Sequence, residues 1–489
     1  MAMDIPGVSI PPAHGGQASG GIRRAGLFRA FGLLFATLLT ACSNLAGPEY
    51  KRPDAPGKDT WMQEQSARSS AQEGIESEWW TGFEDPVLDE LVSRAIAGNL
   101  DIRVLAARSD VARAAISQAR AGLLPTIEGG MATDTFKSTG VPSTTKYSTA
   151  SEANWEIDIW GKVRKGVDAS EAEFRATEAD WRAGYLTLVS DVSSGYFQIR
   201  QFDEQIRQQQ AAIDRNLQIL AVYQAMYEEG LIPKTQIFQQ QAETKRLQND
   251  LLELQRLRRL TENGLATLLG APADDMIVPR STDREMLGVV SVPAGLPSEL
   301  LTRRPDIIAA EYRVLKAHNL QGQARLAQLP SISLTGRGGS ASFALSDLLK
   351  SGTFGLSSLV SFPIFDPNVR ARIGISEAQT LLAEEEYRRT VVVAFEEVEN
   401  ALVNLSSRKA QRDELVSRHQ YLETVSGEVA AQLEEGMVSQ LEVFEVERTL
   451  LDAEQDMLAN HWQILRDTVV LFKALGGGWP NEVVGLADQ

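Results

Sequence analysis

The chain's only cysteine, Cys42, closes the run Leu39-Thr40-Ala41-Cys42. Arg23, Arg24 and Arg29 lie ahead of it, and Ala30 to Leu39 is an apolar stretch. Basic residues, a short apolar segment and small residues at a cut site make a secretory signal. The last four residues look like a bacterial lipobox. Cleavage between Ala41 and Cys42 would free an amine and a thiol, and both can be acylated. A transmembrane anchor fits less well, because about ten apolar residues span only ~15 Å as a helix. Ser43 follows the cysteine, not the Asp that resembles an inner-membrane retention signal. The outer membrane is therefore the expected destination.

Little else in the chain could make or break bonds. One cysteine excludes a disulfide scaffold and any Cys-based zinc site. The four histidines, at positions 14, 318, 419 and 461, are scattered. His318, His419 and His461 fall in helical patterns without partner motifs. No metal, no cofactor and no enzyme activity is expected. Glu442 and Glu445 stand one turn apart at the start of the last helical run, where the helix dipole favours acids. The Gln-rich run Gln201–Gln210 and the acidic run Glu384–Glu386 read as solvated helix faces.

Composition sets the background. Of 489 residues, 48 are basic and 65 acidic, a net charge of −17, which argues against nucleic acid as a partner. No apolar run reaches the ~18–20 residues of a spanning helix.

The elements that must position these residues come from an internal repeat. Tyr227-Glu228-Glu229-Gly230 matches Leu433-Glu434-Glu435-Gly436 at an offset of 206. The same offset pairs Phe238 with Phe444 and Leu269-Gly270 with Leu475-Gly476. Upstream, an offset of 205 pairs Asp101-Ile102 with Asp306-Ile307 and Pro125 with Pro330. The chain is thus two copies of one unit.

Proline is absent from 143 to 232 and from 368 to 479. It costs about 3 kcal/mol inside a helix, so these gaps permit very long helices. Copy one reads as a short helix (99–123), two strands, a long helix (165–228) and a return helix (233–269). Copy two repeats this at 304–328, 369–434 and 438–474. Gly230 and Gly436 suit helix C-caps, and Pro233 suits a helix start. In each copy the two shorter helices together match the long one, so they could stack end to end beside it.

The strands alternate. Trp155, Ile157 and Ile159 alternate with Asn154, Glu156 and Asp158; Leu356, Val360, Phe362 and Ile364 alternate with Gly355, Ser357 and Ser361. Their partners begin after Pro125 and Pro330, and Ser/Thr/Gly-rich segments join them at 137–151 and 346–353. A small soluble hairpin would show this pattern. So would a lipid-facing barrel of ~10-residue strands, but one chain has four strands and the smallest such barrels have about eight. On the membrane reading, several chains must contribute.

Five motifs carry a family resemblance. They are Trp79-Trp80 with Phe83 and Asp85-Pro86, Ile157-Asp158-Ile159-Trp160-Gly161, Leu301 with Arg303-Arg304-Pro305-Asp306-Ile307, Phe362-Pro363-Ile364-Phe365, and Ala474-Leu475-Gly476-Gly477-Gly478-Trp479. Together they resemble the outer membrane factor family, the exit ducts of tripartite efflux pumps, in its lipoprotein branch. The resemblance implies a mainly α fold with a small β part. Long antiparallel helical hairpins would form a periplasmic α-barrel, and four strands per chain would enter a 12-stranded β-barrel of a homotrimer. It also implies a periplasmic adaptor, an inner-membrane pump of the resistance-nodulation-division type, and outer membrane lipid as partners.

On this reading 1–41 is the lipoprotein signal and 42–98 a lipid-anchored and equatorial segment. The first repeat is 99–270 with its hairpin at 126–160, and 271–303 is an equatorial linker. The second repeat is 304–475 with its hairpin at 331–365, and 476–489 is a tail. Cys42 would carry the lipid. The turns Gly230-Leu231-Ile232 and Gly436-Met437-Val438-Ser439 would dock the adaptor. Glu442 and Glu445 resemble the acidic pair that rings the closed entrance; copy one has Gln236 and Gln239 there. The chain departs from better-known members at Leu433, where copy one keeps Tyr227, and at Val438, which resembles a gate arginine position. A passive duct for small molecules or drugs is expected. A protein-secretion duct and a non-conducting coiled-coil tether are the competing readings. The Trp79-Trp80 pair reads as packing, not ligand recognition.

Overall fold

The computed structural model describes residues 49–57, 60–62, 77–273, 277–280, 287–290, 292 and 300–479. Ala41, Cys42, the signal segment and the tail beyond 479 lie outside the described residues. Copy one holds α1 Pro86–Gly98, α2 Leu100–Ala121, β1 Thr126–Phe136, β2 Thr144–Ile157, α3 Lys162–Glu228 and α4 Lys234–Leu268. Copy two holds α5 Leu300–Arg303, α6 Pro305–Leu326, β3 Ser331–Ser342, β4 Thr353–Ser361, α7 Pro367–Glu434 and α8 Gln440–Ala474.

The long helices α3 and α7 have 67 and 68 residues, about 100 Å each. Their starts are capped by acids. The Asp366 carboxylate accepts from the Asn368 amide at 2.8 Å, with Pro367 at the first helical position. The Asp158 carboxylate accepts from the amides of Val163 and Arg164 at 3.1 and 3.0 Å. The helices form one layer. α2 and α4 lie along one side of α3; α6 and α8 fill the space between α3 and α7.

The shorter helices do stack end to end, and single side chains splice them. Asn99 caps α2 by accepting from the Ile102 amide at 2.9 Å, and donates from Nδ2 to the Leu268 carbonyl at the end of α4, also at 2.9 Å. In copy two Arg304 donates to the Ala474 carbonyl at the end of α8 at 3.0 Å, and pairs with Asp306 and Glu397. Each splice satisfies carbonyls that a helix end leaves without partners.

Helix α1 was not expected. Its signal is Asp85-Pro86: the Asp85 carboxylate accepts from the Val87 amide at 2.9 Å, and Pro86 takes the first helical position. The other Asp85 oxygen accepts from the buried Tyr196 hydroxyl at 2.5 Å. Burial, and then this hydrogen bond, push the Tyr196 phenol well above its ordinary pKa. Trp79, Trp80 and Phe83 are buried around it; Trp79 stacks on Phe472 with centroids 4.7 Å apart. The tryptophan pair is core packing.

Three other readings are corrected. β2 starts at Thr144, inside the segment 137–151 read as a linker. Its Ser and Thr suggested a loop, but Thr is β-branched and suits a strand. The Gln-rich run is not a solvated face, since Gln201 and Gln208 are buried. There α3 is flanked by helices on both sides, a fact that one helix's periodicity does not contain. Phe362 lies beyond the end of β4, and Ile159 and Ile364 also leave their strands. Each amide bonds back two residues, to Ile157 and Phe362, at 2.9 and 3.0 Å, a tight turn that redirects the chain into the long helix.

His461 on α8 is buried with its Nε2 unpartnered, and burial, then Arg412 nearby, lower its pKa; a backbone hydrogen bond at Leu287 opposes this. Below the ordinary histidine pKa of about 6.5 the unfolded chain takes up a proton that the folded chain refuses, so stability falls with pH. Burial raises the Asp467 pKa, which acts in the opposite sense but in the carboxylate range. His461→Asn should flatten the loss of melting temperature between about pH 7.5 and 5.5, measured on detergent-solubilised protein. An unchanged slope would assign that loss elsewhere.

Candidate functional site

Two ends of the molecule can be built from the residues upward. At the end far from the sheet, α3 and α7 stop in the same way. Gly230 and Gly436 both have φ of +71°. The Gly230 amide donates to the Tyr227 carbonyl and the Leu231 amide to the Met226 carbonyl, at 2.9 and 2.8 Å. The Gly436 and Met437 amides repeat this on Leu433 and Gln432, at 3.0 and 2.9 Å. These are paired C-caps that require a left-handed residue. They leave Leu231 and Met437 exposed, at 69% and 63%, while Ile232 and Val438 are half-buried.

The two copies then diverge. α4 starts after Pro233 with no side-chain cap. α8 starts after Ser439, whose hydroxyl accepts from the Glu442 amide at 3.4 Å. Glu442 is thus the fourth residue of a Ser-x-x-Glu start, an arrangement that favours an acid whatever else it does. Glu442 and Glu445 are both exposed, and Glu445 pairs with Arg448 one turn on. The i, i+3 spacing of Glu445 and Arg448 is the sequence signal for this pair.

Between the two acids Val443 and Phe444 turn inward. Arg215 of α3 lies over the Phe444 ring at 5.6 Å and pairs with Glu447 at 2.8 Å. The equivalent of Phe444 in copy one is Phe238. Phe444 is 6% exposed and Phe238 56%. The residue type is the same, but α8 has a long helix on each side and α4 on only one.

The sheet has the same property. It runs β1-β2-β3-β4, all antiparallel, and among the described residues β1 and β4 are unpaired on their outer sides. The register puts Ile127, Met131, Trp155, Leu334, Leu356 and Val360 on one face. The other face carries Glu128, Lys146, Glu152, Asn154 and Arg337. Among the described residues nothing covers the apolar face, where Ile127, Met131 and Leu356 are largely exposed. The β2–β3 pairing inside the chain is a template for pairing β4 with β1 of another copy. Likewise the packing of α3 on α6 and α8 is a template for α7 on α2 and α4 of another copy.

A sheet with one apolar and one polar face, open at both edges, above a curtain of helices open at the same edges, is one segment of a ring-shaped wall. The class this defines is the multi-chain membrane channel.

The comparisons agree. The family described as "Outer membrane efflux protein" matches residues 91–271 and 296–477. The chain is 30% identical over 485 residues to the probable efflux pump outer membrane protein TtgC of Pseudomonas putida, covering 93% of this chain and 96% of that protein. It is 30% identical over 468 residues to the cation efflux system protein CusC of Escherichia coli, covering 91% and 97%. Its fold superposes on the outer-membrane channel OprN with a TM-score of 0.79 at 26% identity, covering 89% of this chain and 99% of that one. The chain belongs to the outer membrane efflux protein family. It is an outer membrane efflux channel protein, with strands for a transmembrane β-barrel and helices for a periplasmic extension.

Among the described residues no helix is long and apolar enough to cross a membrane.

Proposed function

We propose that three copies of this chain close one passive duct. It carries small molecules, delivered by an inner-membrane pump of the resistance-nodulation-division type, across the periplasm and outer membrane. The observation that carries this reading is the coincidence of open edges in sheet and helix layers. One repeat of the internal junction between copies closes both at once. The apolar face then meets lipid and the polar face lines the lumen. Acylated Cys42 is an added anchor in this reading.

The turns at Gly230-Leu231-Ile232 and Gly436-Met437-Val438-Ser439 are the docking points for a periplasmic adaptor. Exposed apolar residues at Leu231 and Met437 supply contact area that solvent otherwise covers at a cost. Glu442 and Glu445 line the entrance, once per chain because copy one has Gln236 and Gln239 there. Arg448 offsets part of the Glu445 charge, so Glu442 carries the larger share.

The test is single-channel recording in planar bilayers. Glu442→Gln with Glu445→Gln should lower cation preference and relieve block by divalent cations, because a ring of carboxylates attracts cations. Glu442→Gln alone should give most of the change. Unchanged conductance, selectivity and block would remove the gate assignment.

A further inference from the structure

The strand register sorts the polar face into rows that cross the sheet. One row is Glu128, Glu152, Arg337 and Gly355. The next row towards the loops is Gly130, Ala150, Gly339 and Thr353, and the one beyond holds only alanine and serine. Three long charged side chains therefore stand immediately below two rows of small ones. A shallow cavity of about 590 Å³ beside Arg337 marks the relief that the small residues leave.

The charges in the row do not cancel. Arg337 pairs with Glu152 at 3.3 Å, and Asn154 donates to the same carboxylate at 3.1 Å. Glu128 stands directly opposite Glu152, and no ion pair reaches it among the described residues. Gly355, at the other end of the row, brings no side chain. Each chain thus contributes one uncompensated carboxylate at this level.

We propose that this row is a charged collar in the β-barrel lumen, and that Glu128 makes it a second ion-selective level. The proposal rests on the duct reading above. Three copies place three unpaired carboxylates on one ring, where long side chains narrow the lumen and small ones widen it above. Such a ring raises the local cation concentration and disfavours anions. It lies at the sheet end, separated from Glu442 and Glu445 by roughly 100 Å of helix. The two levels act on opposite ends of the path.

The test uses the full-length chain in planar bilayers under a salt gradient, in the Glu442→Gln, Glu445→Gln background so that the entrance acids do not contribute. Glu128→Gln, which removes three carboxylates from the ring, should lower the cation-to-anion permeability ratio on the order of threefold or more, since one charge at several ångströms in water is already worth about that much. Arg337→Gln, which frees Glu152, should raise it. In a Glu128→Cys chain, a cationic and an anionic thiol reagent should shift the permeability ratio in opposite directions. The only other cysteine is Cys42, so the unsubstituted chain is the control. Correct assembly is checked by the heat-modifiable oligomer band. An unchanged ratio in both charge variants, or a cysteine that neither reagent reaches while the channel conducts, overturns the collar. Failure of the duct reading shows differently: the unsubstituted chain assembles and never conducts.

Discussion

Gly270→Ala is expected to destabilise the protein by more than about 3 kcal/mol, while Gly230→Ala loses only about 1–2 kcal/mol. Both glycines close a helix in the left-handed region, at φ of +69° and +71°. The backbone strain on an alanine is therefore the same. The space differs. A Cβ on Gly270 would sit 2.0 Å from the Gly98 carbonyl oxygen, whereas a Cβ on Gly230 meets nothing within 4 Å. Gly98 is held just as closely from the other side, since its Cβ would lie 2.4 Å from the Leu269 carbonyl oxygen. Backbone contacts this near cannot relax by rotating a side chain. The adjoining Asn99 splice should fail with them, separating α2 from the end of α4. Denaturant unfolding of the two variants in detergent gives the comparison. Equal losses would mean that the close approach contributes nothing beyond dihedral strain.

The second large effect lies near the same end of α4. Arg258 on α4 pairs with Asp203 on α3 at 2.6 Å and with Glu262 at 3.0 Å, and donates to the Val278 carbonyl at 3.0 Å. All three side chains are at least nine-tenths buried. Glu262 in turn accepts from the Val278 amide at 3.2 Å. One guanidinium thus ties two helices to the segment 277–280. Arg258→Leu takes the cation from the buried carboxylates of Asp203 and Glu262 and leaves Arg259, 3.6 Å from Glu262. Breaking a buried pair in this way typically costs about 3–5 kcal/mol. Arg258→Lys keeps the charge but loses the planar fork, so it should fall between. Amide exchange at Val278 should accelerate in both variants, more in Arg258→Leu. A Val278 amide that stays protected in Arg258→Leu would show that the clasp does not hold this segment.

Much of the architecture was legible because the repeat writes it twice. Gly230, Gly270, Gly436 and Gly476 stand at one offset, and all four have positive φ. Their type and spacing located the helix ends to within a residue or two. The long helices were legible from missing prolines, an argument that needs no neighbour. The start of β2 was not, because Thr and Ser fit both a loop and a strand until a partner strand is known. That error hid the candidate site with the clearest register. With the joining segment carried to Ser151, the rows through Ala150 and Ser148 fall in a loop, and the small residues beyond Glu152 never line up across the sheet. The burial of Gln201 and Gln208 was hidden for a related reason. Periodicity shows which face of a helix is apolar; it does not show that polar faces are also covered when helices pack on two sides. The contrast between Phe238 and Phe444 is likewise invisible in sequence, because it depends on which edge of the layer each helix occupies.

The duplication sets the granularity with which such a wall can be charged. A ring built from identical half-chains would have to repeat every substitution at all six positions. Joining two halves in one chain lets them drift apart, so in the proposed three-chain duct a change in copy two would appear three times per ring. Gln236 and Gln239 opposite Glu442 and Glu445 are a record of that freedom. In the three-chain duct proposed above, alternate staves of one ring would be acidic and neutral, and half as much like charge would be crowded about the axis as strict sixfold symmetry would impose.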